Sequence, residues 1–169
     1  MESVELTFRY NQSEYVKAER QYLFANKTIT KTSVIVLSLF FPASLINLIF
    51  SSFSNLSVIA VAVAIIAATA GSILYFYIPT YKFKRTAKYH EEYNLAFSAV
   101  GIKFKTPSID SELKWSIYSE IWESNDFYFL IQAPHLYTLI PKRVFESPAV
   151  KQTFEEIVLS NLKCTKRVL

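Results

Sequence analysis

The residues that could do chemistry are few and scattered. His90 and His135 are the two histidines and Cys164 the one cysteine. They fall in a connector, a turn and the C-terminal stretch, with none of the spacing that a metal-ligand set requires. Cys164 has no neighbouring histidine and reads as a packing thiol. With two glycines in the chain, no phosphate-cradling loop can be written. Glu120, Glu123 and Asp126 cluster beside a turn and read as a solvated face, since a catalytic acid–base pair needs contrasting environments. No catalytic residue, metal or cofactor is expected, and the chain reads as a non-enzyme. The remaining chemistry is charge. Lys142 and Arg143 follow Pro141 at the end of a predicted strand. With Lys103 and Lys105 they suit phosphate headgroups or an acidic partner. The competing reading pairs Lys142 and Arg143 with Glu146. Trp122 joins this contact set, although both Trp115 and Trp122 also suit a core.

The elements that position these residues follow from where the charges fall. Hydrophobic residues make up 51% and charged residues 19% of the 169-residue chain, against roughly 25% charged in soluble proteins. Every Lys, Arg, Asp and Glu lies before Ser33 or after Tyr81. The net charge of +4 suits an anionic membrane surface. No dense basic stripe marks a nucleic-acid face, so none is expected as partner. A single cysteine excludes an internal disulfide.

The uncharged stretch is long enough for two membrane-spanning helices, each needing about 20 apolar residues. They are placed at Ser33–Ser52 and Ser57–Ile78, with Phe53 to Leu56 as the turn. The acidic, alternating N-terminus is unlike a cleavable signal, so the first span is expected to direct insertion. Lys27 and Lys31 precede the hairpin, and Lys82, Lys84, Arg85 and Lys88 follow it. The positive-inside rule then puts both termini in the cytoplasm. Lys31, Tyr77, Tyr81, Lys82, Lys84 and Arg85 are the expected membrane-interface residues, among membrane lipids. Pro42 is expected to kink the first span, and Asn47 to bond a neighbouring helix. Ala64, Ala67, Ala68, Ala70 and Gly71 form a small-residue face suited to the first span or a homo-oligomer.

Outside the hairpin, Val4, Leu6, Phe8 and Tyr10 alternate with polar residues as in a half-buried strand, which must pair with strands arriving later. Asn11 with Glu14 has capping-box spacing and starts a helix over Gln12–Asn26. Beyond a basic connector running to about Glu92, short strands are expected at 95–97, 102–105, 112–115, 117–123, 127–132 and 136–140, with turns at Gly101, Pro107–Ser111, Asn125 and Pro134. Ser147 and Pro148 then cap and begin a helix. Val150, Phe154, Ile157, Val158 and Leu162 form its buried stripe, and Lys163, Lys166 and Arg167 lie near its end. The predicted fold is an α+β membrane protein: a two-helix transmembrane hairpin plus a small antiparallel, pleckstrin-homology-like β domain closed by a C-terminal helix. The divisions are 1–31 (strand and helix, packing on the C-terminal domain), 32–81 (hairpin) and 82–169 (cytoplasmic β domain).

Trp115-Ser-Ile-Tyr-Ser-Glu-Ile-Trp-Glu-Ser-Asn-Asp-Phe-Tyr-Phe-Leu, followed by Leu139-Ile-Pro-Lys-Arg-Val-Phe145, resembles the YcxB-like family of bacterial membrane proteins. The resemblance is specific over about residues 112–146. It implies a pleckstrin-homology-like domain at the inner membrane and no defined activity. Ala99 and Val100 depart from the polar turn usual in that family. The function expected is a membrane-anchored interaction module binding a protein partner. Anionic lipid recognition is the alternative, and immunity or stress protection a further one.

Overall fold

Alternation of apolar and polar residues makes β1 (Val4–Arg9), whose Val4, Leu6 and Phe8 are buried while Glu5, Thr7 and Arg9 face out. The computed structural model describes residues 3–51, 53–162 and 166–169. Ser52, Lys163 and Cys164, read above as a span end, part of a helix end and a packing thiol, lie outside the described residues. The chain divides into two units, Met1–Glu14 with Thr86–Leu169 and Tyr15–Arg85.

In the first unit, β1 pairs antiparallel with β2 (Glu92–Phe97), far away in sequence. β3 (Ile102–Lys105) and β4 (Asp110–Leu113) complete a sheet in the order β1-β2-β3-β4. The turn from β2 to β3 needs Gly101 because a Cβ there would sit 2.7 Å from Leu113 O. Trp115 Nε1 donates to Ser98 O at 2.8 Å and fixes the same turn from beneath. Val100, at its tip, is exposed.

The second sheet has β5 (Glu120–Glu123), β6 (Phe127–Ala133) and β7 (Leu136–Pro141), all antiparallel. The turn from β3 to β4 closes between Thr106 and Ile109, two residues earlier than expected, so β4 begins at Asp110, and Trp115–Ile117 forms a 3₁₀ turn where one strand was expected to end and the next to begin. A two-residue strand β8 (Arg167–Val168) lies parallel to β5, giving the order β7-β6-β5-β8. The sheet is therefore mixed. Arg167, expected near a helix end, is instead on this strand, because α5 (Pro148–Asn161) stops earlier. Ser147 caps α5 by accepting from Val150 N–H at 3.3 Å, with Pro148 at the first turn.

The core gathers where α5 meets both sheets. Phe154 is fully buried, with ring centroids 5.0 Å from Phe97, 5.3 Å from Tyr128 and 5.1 Å from Phe145. Tyr10 OH donates to Leu139 O and so joins the end of β1 to β7.

α1 (Gln12–Ala25) begins within the first unit, where Asn11 Oδ1 accepts from Glu14 N–H at 2.7 Å, and from Tyr15 onward belongs to the second. α2 (Lys31–Phe50) starts at a capping box between Thr30 and Ser33 and continues through Pro42. α3 (Asn55–Ser72) starts at a Ser54 cap. α2 and α3 meet along small residues, with Ser44, Ser57 and Ala64 buried. Ala67 and Ala70 fall outside that line and are exposed, as is Asn47, which shares no side-chain bond with α3 among the described residues. The rest of both surfaces is apolar and uncovered: Leu39, Ile49 and Ile66 are 67%, 70% and 68% exposed. Lys31–Phe50 and Asn55–Arg85 are each long and apolar enough to cross a membrane.

The second of these helices extends beyond the predicted Ile78 to Arg85, through a π-helical turn (Ile73–Tyr77) and α4 (Ile78–Arg85). Pro79 explains the π turn. It has no N–H and its ring crowds the carbonyl four residues back, that of Tyr75. Arg20 on α1 takes over that carbonyl, donating from Nε at 3.2 Å. Its guanidinium also lies 4.6 Å from the Tyr75 ring centroid and 5.1 Å from that of Phe76. The basic residues predicted as a connector close α4 because cations favour a helix C-terminus.

Candidate functional site

The sequence-derived contact residues lie in four separate settings. Lys142 follows β7 in a 3₁₀ turn and bonds Glu123 at 2.5 Å. Its Nζ lies 4.9 Å from the Tyr128 ring centroid. Lys166, not foreseen as a site residue, reaches the same carboxylate at 2.6 Å and Glu155 at 3.1 Å. Tyr128 OH donates to Glu155. This network binds β5, β6, α5 and the segment leading to β8. Burial alone pushes the Glu123 carboxyl up, but hydrogen bonds from Lys142 and Lys166 outweigh it and bring it to about 2. The Glu155 carboxyl is likewise lowered, by Tyr128 and Lys166 against burial. Tyr128 is raised by burial and by Glu155. Glu123 is thus a largely buried partner, where the sequence reading had a solvated face.

Trp122, the next residue back on β5, is buried. Its Nε1 donates to Glu120 at 2.5 Å, and the Arg167 guanidinium covers its ring at 4.7 Å. Arg143 makes a bidentate pair with Glu14 at 2.7 and 2.9 Å and donates to Arg9 O at 2.9 Å. Neither cation of the Lys142-Arg143 pair bonds Glu146, because their turn aims them at β5 and at the start of α1.

Lys103 and Lys105 differ. They stand on the outer face of β3 opposite Glu112 and Asp110, at 3.6 and 3.7 Å, with all four side chains exposed. Such pairs are weak and leave the charges open to other ligands.

The residues expected at a membrane interface belong to the second unit. Tyr77 and Tyr81 stack at 5.5 Å one helical turn apart, and Arg85 lies over Tyr81 at 5.5 Å and bonds its hydroxyl. Lys82 approaches Glu19 at 3.8 Å, Lys84 is exposed, and Lys31 opens α2.

One feature had no signal in the sequence. An open cleft of about 370 Å³ runs along Ser3–Leu6, bounded opposite by Val144, Glu146, Ala149, Val150 and Thr153. Strand and helix sides come from opposite ends of the chain, so only folding creates it.

The fold and these surfaces define an α+β chain whose β unit of two four-stranded sheets is closed by a helix, with two long apolar helices between β1 and β2. A family model described as YcxB-like protein matches residues 97–158, from the end of β2 into α5. No curated protein and no solved structure matches the chain.

Proposed function

We propose that this chain is a non-enzymatic interaction module of the bacterial inner membrane, with a pleckstrin-homology-like β unit presented to a protein partner at the cytoplasmic face. The carrying observation is the pairing of β1 with β2 across the intervening apolar helices. Partners in one ladder share one side of any membrane. A hairpin entering and leaving between them must therefore start and end on that side, and the lysines and arginine of 82–85 favour the cytoplasm. The exposed Leu39, Ile49 and Ile66 are costly in water and favourable in lipid. Four strands, then three, then a closing helix support the pleckstrin-homology-like reading.

A protein partner is favoured over anionic lipid because Lys142 and Arg143 are committed to Glu123 and Glu14. Of the cations expected to make contacts on the β unit, Lys103 and Lys105 are the ones left within reach of a headgroup.

The test uses a Cys164→Ser background carrying Thr7→Cys, Asn55→Cys or Ser108→Cys one at a time. A membrane-impermeant thiol reagent added outside intact cells should label Asn55→Cys alone. Labelling of Thr7→Cys or Ser108→Cys, or a chain that stays soluble without detergent, overturns the proposal.

A further inference from the structure

The free edge of β1 can be assigned atom by atom. Ser98 N–H donates to Gly101 O at 3.0 Å, so that pair is hydrogen-bonded across the β2–β3 turn. In an antiparallel ladder bonded and non-bonded pairs alternate. Ala96 with Lys103 and Asn94 with Lys105 are therefore the next bonded pairs. Phe97, Leu95 and Tyr93 must then turn their backbone groups toward β1, where they meet Val4, Leu6 and Phe8. By the same alternation Glu5, Thr7 and Arg9 turn N–H and C=O away from the sheet. The bond from Arg143 Nη2 to Arg9 O agrees with this assignment. It also occupies one end of the edge and, among the described residues, leaves the other open.

The open end is where the cleft lies. Ser3–Leu6 form one wall, and Val144, Ala149 and Val150 contribute apolar surface to the other. Glu5 and Glu146 stand on opposite walls, and neither joins an ion pair among the described residues. An extended segment of three or four residues, at about 3.3 Å each, matches the four-residue strand wall.

We propose that this edge is a strand-addition site for an extended partner segment in which basic residues alternate with small apolar ones. Main-chain bonds go to Glu5 and Thr7. Alternate side chains point to opposite faces of an added strand, so one set meets the carboxylates while the other lies on Val144, Ala149 and Val150. The proposal rests on the interaction-module reading and names the partner's chemistry.

The test uses the full chain in phosphatidylcholine nanodiscs, whose zwitterionic surface does not retain cations. The probe is a fluorescent Lys-Val-Lys-Val-Lys-Val peptide, compared with Glu-Val-Glu-Val-Glu-Val. The lysine peptide should bind saturably and slow hydrogen exchange at the Glu5 and Thr7 amides. Glu5→Lys and Glu146→Lys should each weaken it at least tenfold. Glu5→Pro removes an N–H that makes no ladder bond, so it should abolish binding while circular dichroism stays unchanged. Absence of binding, equal binding of the acidic peptide, indifference to both reversals, or exchange protection elsewhere overturns the site. Cross-linking of two chains through β1 in peptide-free discs assigns the edge to a second copy and overturns it too. The thiol-labelling pattern is read separately, so loss of this site leaves the membrane reading standing and the reverse also holds.

Discussion

At Glu123, two ammonium groups hold one carboxylate in a largely dry position, and the consequence is pH dependence. An unfolded glutamate titrates near 4.3, whereas Glu123 in the fold titrates at about 2. The native state therefore binds fewer protons between those values. The stabilisation is complete above the unfolded value and is lost as pH falls through the folded one, up to about 3 kcal/mol. Denaturant unfolding followed by the buried Trp115 and Trp122 should show stability falling between about pH 5 and pH 2. Glu123→Gln should flatten that slope and, at pH 7, cost about 1–3 kcal/mol by stranding Lys142 and leaving Lys166 with Glu155 alone. Phe154 tests packing in the same unit. It is fully buried against Phe97, Tyr128 and Phe145. Phe154→Ala should cost about 3–5 kcal/mol in the same unfolding assay.

Two elements depend on single residues for their shape. The β2–β3 turn brings Gly101 against Leu113 O on β4. A methyl group cannot fit at 2.7 Å from that backbone oxygen, so Gly101→Ala must displace the strand. The expected loss is about 1–3 kcal/mol, read as a lowered denaturation midpoint. The helix ending at Arg85 depends on Arg20. Pro79 releases the Tyr75 carbonyl, and the guanidinium supplies both a hydrogen bond and a cation–π contact there. Arg20→Ala should speed amide exchange over residues 73–80 about tenfold, equivalent to about 1.4 kcal/mol. Arg20→Lys should recover only part, because an ammonium lacks the planar surface that stacks.

For the whole molecule, the central fact is that one sheet is built from strands separated by the apolar helices. Thr7 bonds Asn94 across 87 positions. If the β unit carries its own core, the helices are dispensable for its folding. A shortened chain with residues 15–85 replaced by a Gly-Ser linker should be soluble without detergent, with native-like Trp115 and Trp122 fluorescence. Aggregation, or solvent-exposed tryptophans, counts against an autonomous β unit.

Much of this architecture is written locally. The charge gap from Ser33 to Tyr81 announces the apolar helices, because burying a charge in hydrocarbon is prohibitive. The alternation of Val4, Leu6, Phe8 and Tyr10 announces β1, and Ser147-Pro148 announces α5, because caps and periodicity act over a few residues. The short strands after the hairpin are legible to within a few positions for the same reason. Partner choice is another matter. That Lys142 meets Glu123, that Arg143 meets Glu14 rather than nearby Glu146, and that the end of the chain lies along β5 are all contacts between distant segments. The Pro79–Arg20 device and the Glu5–Glu146 cleft are of the same kind. The residues themselves determined which elements form and which solvent each prefers. Only the tertiary structure decided which charges neutralise one another and which stay open, since that depends on where folding brings side chains together in space.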